Sequence, residues 1–289
     1  MSQKFKLSIV VLAYKSEYLS QTLLSIISQS KNDFSLFVLN DNSPDPQIGT
    51  IVDSTLLGYK YYYEKFVENL GGANLVAHWN RCILKTSSEY VWLICDDDII
   101  PYNAVERFYN FIEVQYCPDL LRFNLSVIDK NSNLIYDSPE HPFSETSHEF
   151  AIRRLTRNCT SSLSEYIFSR KVFNRTNGFV NLPLAWASDD ATWIKFGLST
   201  GIKTIPGLPV QWRNDGQNIS SDISRDVKKS KIQASYLFVL FTTAYLKIPY
   251  SLLIDWLKFQ YSLVGIKKLT FTICFNFISI KYLIFKLLK

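Results

Sequence analysis

The first 115 residues alternate between short β-rich runs and amphipathic segments, and this alternation constrains the fold most strongly. Leu7–Tyr14 is a continuous apolar run, typical of a strand that is buried on both faces. Further predicted elements are the helix Ser16–Ser28, the strand Phe34–Leu39, the helix Pro46–Leu57, the strand Tyr59–Tyr63, the helix Leu75–Leu84, the strand Tyr90–Ile94 and the helix Pro101–Gln115. Repeated strand–helix units predict an α/β fold, with a mostly parallel sheet that carries helices on both faces.

The composition is that of a globular chain that can bury a large core. Of the 289 residues, 47% are hydrophobic and 20% are charged. The five cysteines are scattered and form no CxxC pair, which argues against a disulfide framework or a zinc site and suits a reducing cytosol. Residues 1–30 show no signal-peptide cleavage pattern, so we expect a cytoplasmic protein.

The C-terminal region differs from the rest of the chain in charge. Residues 227–289 hold ten lysines, no arginine and one acid, a balance of +9, whereas residues 1–226 have a balance of −4. We therefore divide the chain into residues 1–226, with halves at about 1–115 and 116–226, and a basic, apolar helical region 227–289. The absence of arginine argues against a nucleic-acid partner.

Two interpretations of residues 227–289 remain open. They form either a helical subdomain packed on the preceding domain or an interfacial anchor for an anionic membrane surface. The stretch Leu269–Ile280 has 12 uncharged residues, too few for a spanning helix, which needs ~20. A chain ending near Asp226 should stay soluble, provided that the tail does not cover the core.

Between these regions, residues 116–225 are mixed in pattern. Asp129–Leu134 predicts the turn of a hairpin. His141 and His148 lie in a polar loop and are expected to be exposed, whereas His78 is expected to be a satisfied helix residue.

Three consecutive carboxylates, Asp96–Asp98, follow directly after the strand Tyr90–Ile94. Adjacent carboxylates repel one another, so a divalent cation that also carries phosphates would explain them. The alternative is that Asp98 caps the next helix while the other two are solvated. Tyr14 and Asp41 also stand at predicted strand ends, so all of these residues should share one cleft. No glycine follows the first strand, which argues against a dinucleotide fingerprint or a P-loop.

An ordered set of motifs over residues 5–222 resembles the family 2 glycosyltransferases, which have the GT-A fold. The set comprises LSIVVLAYKSEYLSQTLLSIISQS, FVLNDNSPD, ENLGGANLVAHWNRCI, YVWLICDDDII, NGF, AWASDDATWIKFG and VQWRNDGQNIS. The specificity of this resemblance lies in the order of the motifs, since any single one is weak.

The resemblance implies residues that contact the donor base. Ala13 and Tyr14 would lie against uridine, and Asp41 would accept a hydrogen bond from uracil N3–H. Asn69 and Asn74 belong to a loop that borders the cleft and are expected to touch the donor.

The resemblance also assigns roles within the acidic triplet. Asp98 would ligate Mn²⁺ or Mg²⁺ on the diphosphate, and Asp97 would contact the ribose or a sugar hydroxyl. Asp96 would support them. The sequence departs from the family at Asn40, where an acid is usual, and at Cys95, where many relatives have Asp.

A second acidic pair is implied to supply the general base. Trp193 stands four residues after Asp189, the spacing that the family uses, so Asp189 is the first choice and Asp190 the second. The alternative is that these carboxylates cap the helix that follows. Arg213 and residues 217–220 resemble the segment that closes over the diphosphate, with a plain surface charge as the alternative for Arg213.

These features together predict a metal-dependent inverting glycosyltransferase. It would move a sugar from a nucleotide-diphosphate sugar, most simply a UDP-sugar, to a hydroxyl of a glycan or lipid-linked glycan in surface polysaccharide or oligosaccharide biosynthesis. Its expected place is peripheral, on the inner face of the cell membrane. The alternatives are a catalytically inactive scaffold with the same fold and a nucleotidyltransferase, although the latter generally has a glycine-rich loop after the first strand.

Overall fold

The computed structural model describes residues 5–115, 118–216 and 224–265. Its first half consists of four strand–helix units. They are β1 (Leu7–Ala13), α1 (Leu19–Ile27), β2 (Phe34–Asn40), α2 (Gln47–Thr55), β3 (Tyr61–Lys65), α3 (Gly71–Leu84), β4 (Tyr90–Cys95) and α4 (Ala104–Val114). Each strand and helix predicted for this half is present, with ends that differ by a few residues.

The second half is less regular. Its elements are β5 (Leu120–Arg122), β6 (Leu125–Ile128), β7 (Leu134–Asp137), β8 (Ser144–Glu145), α5 (Ser147–Leu155), β9 (Tyr166–Ser169), α6 (Arg170–Arg175), a 3₁₀ turn (Pro183–Ala185), α7 (Ser188–Phe196), β10 (Ile202–Thr204), β11 (Val210–Arg213), α8 (Arg225–Tyr245) and α9 (Tyr250–Leu263). The predicted hairpin is confirmed, because β6 and β7 pair antiparallel on either side of the turn at Asp129.

The central sheet has eight strands in the order β3-β2-β1-β4-β9-β5-β10-β8. Strands β3, β2, β1 and β4 are mutually parallel, while β9 runs antiparallel to both β4 and β5. A second sheet has the order β11-β6-β7. The mixed, mostly parallel sheet confirms the predicted α/β class.

Side chains of the central strands alternate between two cores, one on each face of the sheet. Val10 and Leu12 of β1 pack with residues of α3, α5 and α7, whereas Ile9 and Val11 pack with residues of α1, α2 and α4. All four side chains are buried, which explains why β1 reads as an unbroken apolar run.

Helices α8 and α9 pack against the core. Phe238 of α8 and Leu253, Trp256 and Tyr261 of α9 are buried in the same cluster as Trp193 of α7. A chain ending near Asp226 was expected to stay soluble only if the tail does not cover the core. That condition is not met, because helices α8 and α9 cover part of the core. The division of domains at residue 226 stays a prediction.

The membrane anchor considered for residues 227–289 would include helices α8 and α9. Within the described ranges, every helix is too short or too polar to cross a bilayer. The stretch Leu269–Ile280 lies outside the described residues.

Candidate active site

The carboxyl ends of β1, β2 and β4 meet at one edge of the sheet. In the pairing register Ala13 lies opposite Asn40, and Leu12 lies opposite Cys95. The residues that follow these strands are therefore neighbours, which explains why Tyr14, Asp41 and Asp96 come together. The sequence predicts this common edge correctly.

Asp96 joins the ends of β1 and β4. Its Oδ2 accepts the backbone N–H groups of Tyr14 and Lys15, each at 2.6 Å. The side chain is buried, and these two hydrogen bonds hold the end of β1 in place. Asp96 thereby supports the cleft, and its contact with a donor stays a prediction.

Asp97 and Asp98 lie together with Cys95. A carboxylate oxygen of each aspartate and Cys95 Sγ lie within 4.8 Å of one another. Asp98 is fully buried; its Oδ1 accepts the backbone N–H of Arg213 at 3.0 Å, and its Oδ2 has no hydrogen-bond partner among the described residues. A buried acceptor without a donor is costly, and a cation would satisfy it.

The alternative role for Asp98, capping the next helix, is wrong. Helix α4 begins at Ala104, its N-cap is Asn103, and no side chain caps it. Asp98 stands five residues before that cap.

Burial and mutual repulsion both disfavour ionisation of the triplet. Burial, then the neighbouring carboxylates Asp98 and Asp96, raise the pKa of Asp97 to about 8. Burial likewise raises the pKa of Asp98 to about 7. Each ionised carboxylate is therefore held at a cost that a bound divalent cation would offset. The oxygen donors of Asp97 and Asp98 fit such an ion.

Arg213 lies behind the triplet and is fully buried, so the surface-charge alternative is wrong. Its Nε donates to the backbone oxygen of Asp97 at 2.9 Å, and its Nη1 donates to the backbone oxygen of Asp129 at 2.9 Å. Nη2 donates to Gln21 Oε1, also at 2.9 Å. These bonds tie β11 and the hairpin to the triplet. The contact of Arg213 with a diphosphate stays a prediction, and residues 217–220 lie outside the described ranges.

Asp41 is engaged with the start of α3. Its oxygens accept the backbone N–H groups of Leu70 at 3.0 Å and Gly71 at 2.7 Å. Arg81 and His78 also contact Oδ1, the latter at 3.0 Å. A Cβ at Gly71 would lie well inside the van der Waals distance of Asp41 Oδ2, so a larger residue there would displace the Asp41 carboxylate. The uracil contact of Asp41 stays a prediction; in this structure both oxygens already accept hydrogen bonds.

His78 behaves as the sequence predicts for a helix residue. It is buried against Asp41, and burial lowers its pKa to about 4, so the ring is neutral at pH 7. The expectation for His141 is wrong, since its side chain is buried 3.5 Å from Glu165, whereas His148 is exposed.

Asn69 and Asn74 shape the first turns of α3. Asn69 Oδ1 accepts the N–H of Gly72 at 2.7 Å, and its Nδ2 donates to Tyr14 Oη at 3.1 Å. Asn74 has φ −153°, which interrupts the helix, and its side chain accepts the N–H of Ala77 at 3.0 Å. The predicted helix Leu75–Leu84 is thus the continuous part of α3, capped by Asn74.

A cavity of about 550 Å³ opens beside this turn. One side is residues 71–75 of α3, and the other is residues 181–185, the approach to α7. Asn74 lines the cavity directly. The volume is within the range that small ligands occupy.

Asp189 and Asp190 lie in the first turn of α7 and differ in their partners. Arg154 donates to both oxygens of Asp190, at 2.8 and 2.7 Å. Asp189 Oδ1 accepts the N–H of Asp190 at 2.9 Å, and no cation pairs with Asp189 among the described residues. Neither is the N-cap residue, which is Ala187, but Asp189 does satisfy one backbone N–H of the first turn, so the capping alternative holds in part for Asp189.

The unpaired carboxylate has the properties of a general base. Burial, then the charge of Asp190, raise the pKa of Asp189 to about 7, and Arg154 acts in the opposite direction. A base works best when its pKa lies near the working pH. Because Arg154 already pairs with Asp190, Asp189 is the better candidate for the base, and its catalytic role stays a prediction.

The segment before α7 is strained. Leu184, Ala185 and Ala187 have φ of 57°, 55° and 59°, a left-handed conformation that costs non-glycine residues ~1–3 kcal/mol each. Between them, Trp186 Nε1 donates to Gln260 Oε1 at 3.2 Å, and Lys231 Nζ lies 4.7 Å from the Trp186 ring centroid. Helices α8 and α9 therefore support one side of the cavity.

Sequence reasoning missed two residues of this site and gave no role to a third. Arg154 and Trp186 were not singled out, and Cys95 was noted only as a departure from the family pattern. Arg154 and Trp186 depend on partners 36 and 74 residues away.

Comparison with known proteins places these features in a family. The sequence model described as glycosyl transferase family 2 matches residues 8–175, more than half of the chain. A poly(ribitol-phosphate) beta-glucosyltransferase of Bacillus spizizenii is 34% identical over 114 residues, which are 37% of this chain and 17% of that protein. An uncharacterized glycosyltransferase of Methanocaldococcus jannaschii is 25% identical over 158 residues, 52% of either chain. The chain thus spans about half or less of the length of these curated relatives.

Solved structures of S. aureus TarS, residues 1–349, share the fold. The complex with UDP-GlcNAc superposes with a TM-score of 0.66 at 18% identity, covering 90% of this chain and 72% of TarS 1–349. The complex with UDP gives 0.62 at 18% identity, covering 89% and 72%. At this identity the likeness shows the fold alone, and it confirms the predicted GT-A class.

Proposed function

This chain belongs to glycosyl transferase family 2, and we propose that it is an inverting glycosyltransferase that moves a sugar from a UDP-sugar to a hydroxyl of a glycan. One observation carries the proposal. The same fold holds a buried carboxylate cluster at the end of β4 and, at the start of α7, an unpaired carboxylate whose pKa is raised to about 7.

The triplet would hold the donor. Asp98, with Asp97 beside it, would bind Mn²⁺ or Mg²⁺, and the ion would supply positive charge to the leaving diphosphate. Asp97 would also meet the ribose or a sugar hydroxyl. Asp96 and Arg213 keep this cluster in place through the backbone bonds described above.

Asp189 would act on the acceptor. An acceptor hydroxyl becomes a better nucleophile as it loses its proton, and an unpaired carboxylate at a helix start can take that proton. A single attack on the anomeric carbon, from the side opposite the diphosphate, inverts its configuration. Asp190 is committed to Arg154 and would hold the turn in place.

The relatives suggest the classes of donor and acceptor. TarS was crystallised with UDP-GlcNAc, and the Bacillus relative is named for glucosyl transfer to poly(ribitol-phosphate). We therefore propose a UDP-hexose or UDP-N-acetylhexosamine donor and a cell-surface polymer, glycan or lipid-linked glycan acceptor. The inactive-scaffold alternative predicts no donor hydrolysis, and a nucleotidyltransferase would release pyrophosphate.

A donor panel tests this proposal. Purified protein is incubated with UDP-, GDP- and dTDP-sugars, with Mn²⁺ or with EDTA, and the released nucleotide is identified by mass spectrometry. We expect cation-dependent release of UDP from one UDP-sugar. Absence of nucleotide release with every donor, while the folded protein still binds UDP, would support the scaffold alternative.

We also propose that the basic C-terminal region brings the enzyme to an anionic membrane surface. At the α8–α9 turn, Tyr245 and Tyr250 are 49% and 40% exposed, and Lys247 between them is exposed as well. Exposed aromatic rings beside lysine suit a lipid headgroup region. The full chain should sediment with anionic liposomes and be released by high salt. Equal sedimentation with neutral liposomes at both salt concentrations would contradict this.

A further inference from the structure

Cys95 ends β4 and belongs to the same cluster as the two carboxylates. Its Sγ lies within 4.8 Å of an oxygen of Asp97 and of Asp98. Its backbone N–H donates to Ser164 Oγ at 3.0 Å, which fixes the chain at this point. The thiol is therefore held where a ligand of the cation would stand.

A second observation points to a ligand at this place. Asp98 is completely buried, and its Oδ2 has no hydrogen-bond partner among the described residues. No described lysine or arginine forms an ion pair with either carboxylate. The cluster thus offers one sulfur and two carboxylates, with a buried carboxylate oxygen that a bound cation would satisfy.

We propose that Cys95 Sγ is a direct ligand of the cation, which makes this a mixed sulfur–oxygen site. Thiolate is a soft ligand that favours Zn²⁺, Co²⁺ and Cd²⁺, whereas carboxylates alone suit Mg²⁺ and Mn²⁺. The site therefore prefers thiophilic divalent ions over Mg²⁺. On binding, the S–H bond breaks, the proton goes to solvent, and a metal–sulfur bond forms without any change of oxidation state.

This inference rests on the proposed cation site but not on glycosyl transfer. The inference attributes the preference for thiophilic ions to one atom, Cys95 Sγ. Replacing this sulfur by oxygen should therefore change which ion binds, while Asp97 and Asp98 remain.

Cobalt binding tests the proposal without an activity assay. Full-length protein is titrated with Co²⁺, and the thiolate-to-metal charge-transfer absorption is recorded for wild type, Cys95→Ser and Cys159→Ala. Cys159 is a matched control, because it is buried elsewhere and its backbone oxygen, which Arg154 uses, is retained. Since Cys117 and Cys274 lie outside the described residues, only the difference from wild type is assigned.

We expect wild type and Cys159→Ala to show the same charge-transfer band and Cys95→Ser to lose it. Wild type should also release one more proton per bound Co²⁺ than Cys95→Ser. An identical band in Cys95→Ser, or no band in wild type, would overturn the proposal. Donor turnover supported by Mg²⁺ in the same samples would then show that the proposed function survives.

Cys95→Asp provides the converse test. It should bind Mg²⁺ more tightly than wild type and Cd²⁺ at least ~10-fold more weakly, as measured by calorimetry. An unchanged ratio of Cd²⁺ to Mg²⁺ affinity would contradict a ligand role for the sulfur.

Discussion

The acidic triplet at the end of β4 is buried, and the acidic pair at the start of α7 combines a buried Asp190 with a half-buried Asp189. The two groups are neutralised differently. In the triplet no arginine or lysine pairs with Asp97 or Asp98 among the described residues, and burial raises the pKa of both. In the pair, Arg154 neutralises Asp190 and leaves Asp189 unpaired. The first arrangement suits a site that binds a cation, and the second suits a site that accepts a proton.

The largest effect is expected in the triplet. Asp98→Asn keeps an oxygen for the N–H of Arg213 but removes the charge that a cation needs. Turnover should fall by ~10³-fold or more, since cation catalysis supplies several kcal/mol. The unfolding temperature of the cation-free protein should not fall, because a buried, repelled charge is removed. Turnover within tenfold of wild type at saturating Mn²⁺ would exclude Asp98 as a ligand.

The next largest effect is expected at Asp189. Asp189→Asn is nearly isosteric, so the fold should persist while turnover falls by ~10²-fold or more. The measurement is kcat with saturating donor and acceptor. If Asp190→Asn is the inactive variant and Asp189→Asn is active, the assignment of the base is wrong by one residue.

Arg154→Met should affect stability more than chemistry. It leaves Asp190 buried without its partner, which should cost about 3 kcal/mol of the free energy of unfolding, measured in urea. The double variant with Asp190→Asn should recover part of this loss. Equal stability of wild type and Arg154→Met would mean that the bidentate pair does not hold the turn.

The last prediction is a pH dependence, which develops gradually and leaves the protein unaltered. Asp189 must be deprotonated to accept a proton, and its pKa is raised to about 7. At saturating cation, kcat/KM should therefore rise about tenfold per pH unit below pH 7 and level off above it. A flat profile between pH 5 and 8 would contradict a base with this pKa.

The parts of the fold that are local in sequence were predictable. Val91 to Ile94 is a buried apolar run that must be a central strand, so the acids after it must stand at the carboxyl edge. Antiparallel β9 was not predictable, because Ile167 pairs with Trp92, 75 residues earlier in the chain. Its apolar run, Tyr166–Phe168, has only three residues and could equally belong to a helix.

In the candidate site, too, local features could be predicted from the sequence and long-range contacts could not. Asp97, Asp98 and Asp189 were identified from motifs, whereas their partners came only from three-dimensional packing. Nothing near Arg154 in the sequence marks it as the partner of Asp190. His141 was expected to be exposed because its sequence neighbours are polar, yet tertiary packing buries it beside Glu165.

The central claim is that the triplet holds the donor and the pair performs the proton transfer. Mn²⁺-dependent UDP-sugar binding, measured by calorimetry, and turnover are compared for Asp98→Asn and Asp189→Asn. We predict that Asp98→Asn loses both binding and turnover, whereas Asp189→Asn binds the donor as wild type does and loses turnover alone. Loss of donor binding in Asp189→Asn, or wild-type donor binding in Asp98→Asn, would contradict this division of roles.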